Sequence, residues 1–213
     1  MIIPDKSHRH VYHTQQVFRA LTQAMSEPGR ITLIPPLTAL DLPSGLSPYL
    51  GSIALTLLDG QVNFAVAGAK KEVVAEELRI LTFANRTRKW RDAEYIFVQK
   101  PVDRNEIEAM MTDVSCGTLE EPQQGTFFSV QVHHIYEGTG EKEHAWGGTR
   151  LRLSGPGILG SRVLIIEELN DEWLIHRNRL VRNYPMGIDM MLIDEMGLTI
   201  GLPRSITINH EEM

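Results

Sequence analysis

The chain has 213 residues, of which 42% are apolar and 23% charged, a balance that suits one sizeable globular domain with its own core. A formal net charge of −6 excludes a general nucleic-acid footprint, and the single cysteine, Cys116, excludes an intrachain disulfide. The opening "MIIPDKSHRHVYH" has no apolar signal core and no apolar run reaches membrane-spanning length, so the expected setting is the cytoplasm.

Taken in order, residues 1–13 read as a flexible polar segment. A first helix is expected over His13–Ser26, with Val17, Leu21, Ala24 and Met25 on one face. "SEPG" stops it, because Pro28 disfavours helix at Glu27 and Gly29 frees the turn. Arg30–Pro35 alternates like a strand and leads into a proline-punctuated loop. Ser47–Leu58 predicts a second helix with proline in its first turn. "QVNFAVAG" follows as a buried strand, then a helix over Lys71–Phe83 with Val74, Leu78 and Leu81 inward. "AEYIFVQ" reads as a strand and "DRNEIEAMMTDV" as a helix. This alternation argues for an α/β layered fold around a mixed sheet. Three strand-like runs come next, "TFFSVQVHHIY", "TRLRLSG" and "RVLIIEEL", expected as antiparallel neighbours. A fifth helix is expected over Asp171–Tyr184, and a closing hairpin across "DEMG". No repeat or linker divides the chain, so the expectation is a single three-layer α/β/α domain over residues 1–213.

The glycines of "LRLSGPGILG" resemble a phosphate cradle but fail its templates. No lysine follows them as a P-loop requires, Pro156 removes an N–H group, and the sequence after them is strand-like rather than helical. A tight turn between strands is the simpler reading. His8, His10 and His13 have offsets that can ligate zinc, yet no thiol or carboxylate completes an obvious set, and no metal site is expected. His133 and His134, read as strand neighbours, are expected to point to opposite faces and to serve no common site. Glu76 with Glu77, and Glu167 with Glu168, diverge in the same way. Arginines gather at Arg177, Arg179 and Arg182, at Arg150 and Arg152, and around Trp90 with Arg86, Arg88, Lys89 and Arg91. Such forks suit phosphate or phosphonate oxygens and equally serve as ion-pair partners. No Ser-His-Asp order or G-x-S-x-G elbow is present.

Three motifs in sequence carry a resemblance: "FRALTQAMSEPGRI" (Phe18–Ile31), "LRLSGPGI" (Leu151–Ile158) and "PMGIDMMLID…GLTIGLPRSITI" (Pro185–Ile208), with "LRILTFAN" (Leu78–Asn85) between them. The chain resembles the PhnH family, a component of the bacterial carbon–phosphorus lyase system. That resemblance implies a role with partner subunits G, I and L in displacing adenine from ATP and forming α-D-ribose 1-methylphosphonate 5-triphosphate from methylphosphonate. It implies a homodimer, a core complex with G, I and J, and a fold similar to the large domain of pyridoxal-phosphate-dependent transferases that carries no such cofactor. ATP would be a substrate of the complex. The chain would then be an accessory or assembly subunit without membrane or nucleic-acid partners; the alternative is a self-sufficient transferase or hydrolase acting on a phosphorylated small molecule. The resemblance hands over no catalytic set. The motif positions proposed for binding are Pro28, Gly29, Gly155, Pro156, Gly157, Gly187, Asp189 and Arg204.

Overall fold

A computed structural model describes residues 6–37, 45–138 and 148–211. Helices α1 (Lys6–Ser26), α2 (Pro48–Leu57), α3 (Lys71–Thr82), α4 (Arg104–Asp113) and α5 (Asp171–Leu180) surround two sheets. The larger sheet contains β1 (Thr32–Leu33), β2 (Asn63–Gly68), β3 (Asn85–Arg86), β4 (Tyr95–Gln99), β5 (Phe127–Gln131), β9 (Asp189–Ile193) and β10 (Leu198–Leu202), in the order β1-β10-β9-β5-β4-β2-β3. Only β10 runs against the others, because it returns from β9 as the expected hairpin. The smaller, antiparallel sheet has the order β11-β7-β8-β6, from β6 (Ile135–Glu137), β7 (Thr149–Ser154), β8 (Arg162–Ile166) and β11 (Thr207–Glu211).

Period-two alternation sorts the strands of the large sheet between two cores. Phe64 and Val66 of β2, Phe97 of β4, and Met191 and Ile193 of β9 meet Val17 and Leu21 of α1, Leu50 and Ile53 of α2, and Val74 and Leu78 of α3. On the opposite face, Ile96, Val98, Phe128, Val130, Met190 and Leu192 meet Ile107, Met110 and Met111 of α4 and Trp173 and Leu174 of α5. The small sheet joins that second core through Leu151, Leu153, Leu164, Ile166 and Ile208. Parallel strands covered on both faces need apolar residues at every position, which is why these segments read as continuous rather than alternating runs. Phe64, Phe97 and Phe128 are fully buried, and each contributes about 1.5–3 kcal/mol.

The α/β class and the mixed sheet match the sequence, with several corrections. Helix α1 begins at Lys6, not His13. "TFFSVQVHHIY" is two strands in different sheets: β5 is parallel to β4 and β9, whereas β6 pairs with β8. The chain bends between them at residues 132–134. The layer holding α4 and α5 therefore contains a sheet as well as helices. "SITI" does not extend the hairpin but leads into β11, which pairs with β7. Leu81 is 47% exposed rather than inward, and α5 stops at Leu180, which leaves Tyr184 exposed beyond it. Ser47 precedes α2 without a side-chain cap; its N–H donates to Gln99 Oε1 at 2.8 Å.

Candidate functional site

Of the motif positions, Gly187, Asp189 and Arg204 meet at the amino end of β5 and β9, where Phe127 stands opposite Asp189, while Pro28, Gly29, Gly155 and Gly157 pack in the turns between α1, the small sheet and β10. Asp189 and Arg204 form the centre. The Arg204 backbone N–H donates to Asp189 Oδ1 at 2.7 Å, and its Nε and Nη2 donate to Oδ2 at 3.1 and 2.6 Å. Nη1 donates to the carbonyls of Pro122 and Pro185. The side chains are 13% and 22% exposed, so this is a mostly buried, forked ion pair whose arginine already serves an acid and two carbonyls. Gly187 lies against it; its N–H donates to Cys116 O at 2.9 Å. Burial pushes the Cys116 thiol above its ordinary range, with Arg204 opposing, so the sulfur is not a ready nucleophile at neutral pH.

The turn carrying Arg204 is also held by Arg177. Its Nη2 donates to Pro203 O at 2.6 Å and Ile206 O at 3.0 Å. Arg177 is 1% exposed and its Nε is buried without a hydrogen-bond partner. Burial pulls its pKa down to about 10, with the nearby Asp189 carboxylate opposing. Gly155 abuts Ile206 of the same turn. Gly157, at φ +80°, leaves no room for a Cβ, which would stand 2.5 Å from Ser26 O and 2.7 Å from Pro28 Cδ. Gly29, at φ +72°, sits against Leu153 and donates its N–H to Gly201 O at 3.3 Å. The glycine-proline loop is thus the turn of the β7–β8 hairpin, and it seats the end of α1. What the motifs build here is a clamp that locks α1, the small sheet and the β9–β10 hairpin together.

The opposite edge of the large sheet carries a different set. There β4, β5 and β9 end side by side, the position where parallel α/β sheets bind ligands. Lys100 follows β4, His133 and His134 follow β5, and Asp194 and Glu195 follow β9. Glu167 and Glu168 arrive from the end of β8. Lys100, Gln131, Val132, Glu168, Asn170 and Trp173 line a cleft of about 160 Å³. Asn170 and Asp103 cap the helices that start beside it, accepting from Glu172 N–H at 3.0 Å and Glu106 N–H at 2.7 Å. Lys100 pairs with Glu168 and lies 3.5 Å from Glu195. Lys100 and His133 together hold the Glu168 and Glu195 carboxyls below their ordinary range. The two histidines do not diverge. The bend after β5 brings their rings together, tilted by 41° with centroids 4.2 Å apart, which overturns the opposite-face expectation.

The arginines around Trp90 and on β7 are engaged elsewhere. Arg86 and Arg88 share Glu72, and Arg91 pairs with Asp113. Arg150 and Arg152 also have partners. Glu76 turns to Arg79 at 2.7 Å. His13 Nε2 lies 3.0 Å from Ser52 Oγ, and the side chain of His8 lies outside the described residues. The carboxyl-edge set was missed because its members are scattered in sequence; the signal available was position, since each comes shortly after the end of a strand.

The sequence pattern of the family described as "Bacterial phosphonate metabolism protein (PhnH)" matches residues 6–209. The chain is also 28% identical to a protein of Stutzerimonas stutzeri described as a putative C-P lyase subunit protein, HtxG, across 92% of this chain and 85% of that one. With the family pattern running through almost every described element, the chain belongs to the PhnH family of bacterial phosphonate metabolism proteins.

Proposed function

We propose that the chain is a subunit of the carbon–phosphorus lyase system and acts there as a scaffold rather than as the main catalyst. The observation that carries this reading is the Asp189–Arg204 clamp: these two motif residues are spent on holding loops to one another, and the Arg204 fork is filled by protein acceptors. Similarity to a C-P lyase protein along most of both chains supports the assignment to that system. On this reading the chain works in the cytoplasm, forms a homodimer, joins subunits G, I and J, and is needed with G, I and L to make α-D-ribose 1-methylphosphonate 5-triphosphate from ATP and methylphosphonate. We take its fold to be a relative of the large domain of pyridoxal-phosphate-dependent transferases that uses no such cofactor. No helix of the described residues is long and apolar enough to cross a membrane, which agrees with assembly in solution.

Co-expression tests the proposal. The chain should co-purify with subunits G, I and J in constant stoichiometry. Persistent separation from all three during size-exclusion chromatography would remove the scaffold reading. The alternative, a self-sufficient transferase or hydrolase, draws on one observation, the lysine, histidine and carboxylate groups around the carboxyl-edge cleft.

A further inference from the structure

We propose that His133, His134 and Glu167 form a binding site for a divalent transition-metal ion of the zinc type, at the lip of the carboxyl-edge cleft. One ligand atom from each of the three lies within 4.8 Å of the others, the one such grouping among the described residues. Two imidazoles and a carboxylate are the donor set that zinc-type ions prefer over magnesium or calcium. Backbone pairing fixes the members relative to one another: His133 N–H donates to Glu167 O at 3.3 Å, and Glu167 N–H donates to His134 O at 2.9 Å. The ligands of a tetrahedral zinc ion stand about 3.4 Å apart, so side-chain rotation by roughly 1 Å closes the set.

The surrounding carboxylates are placed as metal sites require. A metal-bound imidazole usually turns its other nitrogen to a carboxylate, which fixes the ring and strengthens the ligand. His133 Nε2 faces Glu167 Oε2 at 3.9 Å, while its Nδ1 lies 3.2 Å from Glu195 Oε1. That second contact has ion-pair distance but not hydrogen-bond alignment, and Nδ1 is otherwise buried without a partner. His134 Nδ1 faces Asp194 Oδ2 at 4.0 Å. Asp194 is itself anchored, accepting the N–H groups of Met196 and Leu198 at 2.8 Å each. Lys100 is the opposing charge. It is committed to Glu168 and Glu195. Glu167 is 13% exposed and the two histidines about one-third exposed, so three protein ligands would leave a coordination position open to water or a bound anion.

The test uses the full chain without an affinity tag, stripped of metal and titrated with Zn²⁺ by calorimetry and with Co²⁺ by visible absorption. A His8→Ala/His10→Ala background removes two of the three N-terminal imidazoles and so breaks up the competing cluster, leaving only His13 of it. One equivalent should bind in that background. Adding His134→Ala or Glu167→Gln should weaken it at least about tenfold while circular dichroism stays unchanged. Glu167→Gln keeps the side-chain shape, so it decides the matter if His134→Ala does not fold. No uptake in the His8→Ala/His10→Ala background, or uptake indifferent to Glu167→Gln, overturns the proposal.

Discussion

Replacing Arg204 by alanine separates a clamp from a ligand receptor. The substitution removes a forked, charge-assisted pair from Asp189, whose carboxylate keeps only the Arg204 backbone N–H, and it strips a donor from Pro122 and Pro185. Breaking a buried pair on one side costs about 3–5 kcal/mol, and hydrogen bonds to charged groups about 1.5–3 kcal/mol each. With the pair 13% and 22% exposed, a loss near 3 kcal/mol is expected. For a chain of this size that lowers Tm by roughly 6–12 °C. Thermal and urea unfolding measure it, and Asp189→Asn, which retains acceptor and shape, should cost less. An Arg204→Ala protein that melts within about 2 °C of wild type, yet no longer supports phosphonate turnover in the assembled system, would refute the clamp. Arg204 would then be a ligand contact.

Two further outcomes follow from local geometry. Gly157→Ala should destabilise by about 2–3 kcal/mol, since it adds a left-handed backbone cost to a collision with the end of α1. Gly160→Ala has φ +72° but open space around its Cβ, so urea titration should find only about 1 kcal/mol. A third concerns pH. Burial, and then the neighbouring His10, lower the His13 pKa below its ordinary 6.5. The unfolded chain therefore takes up this proton first as pH falls, so the contribution is present above 6.5 and is lost on descending through the folded-state pKa. Melting curves from pH 7.5 to 5 should show a shallower acid loss in His13→Gln. An unchanged slope would mean that burial does not hold the His13 imidazole neutral in the folded chain.

Sequence legibility differed between the two ends of the sheet. The helices and the β9–β10 hairpin were readable because their apolar spacing is set by the face each presents to a core, as with Val74 and Leu78 on α3. The amino-edge clamp was half readable: its glycines, prolines, Asp189 and Arg204 stand out as motifs, but only the fold shows that Gly157 meets Pro28 and that Arg204 meets Asp189. The carboxyl edge was hidden. "VHH" continues a strand-like run, and nothing local announces that the chain leaves one sheet after Gln131 and enters another at Ile135. That bend places two adjacent histidines on one side, where strand alternation would have parted them.

A scaffold role is decided by turnover of the purified chain supplied with ATP and methylphosphonate, alone and together with subunits G, I and L. The chain alone should release no adenine and form no ribose 1-methylphosphonate 5-triphosphate, and product should appear once the partners are added. Product at a comparable rate from the isolated chain would show that it is the catalyst and not the scaffold.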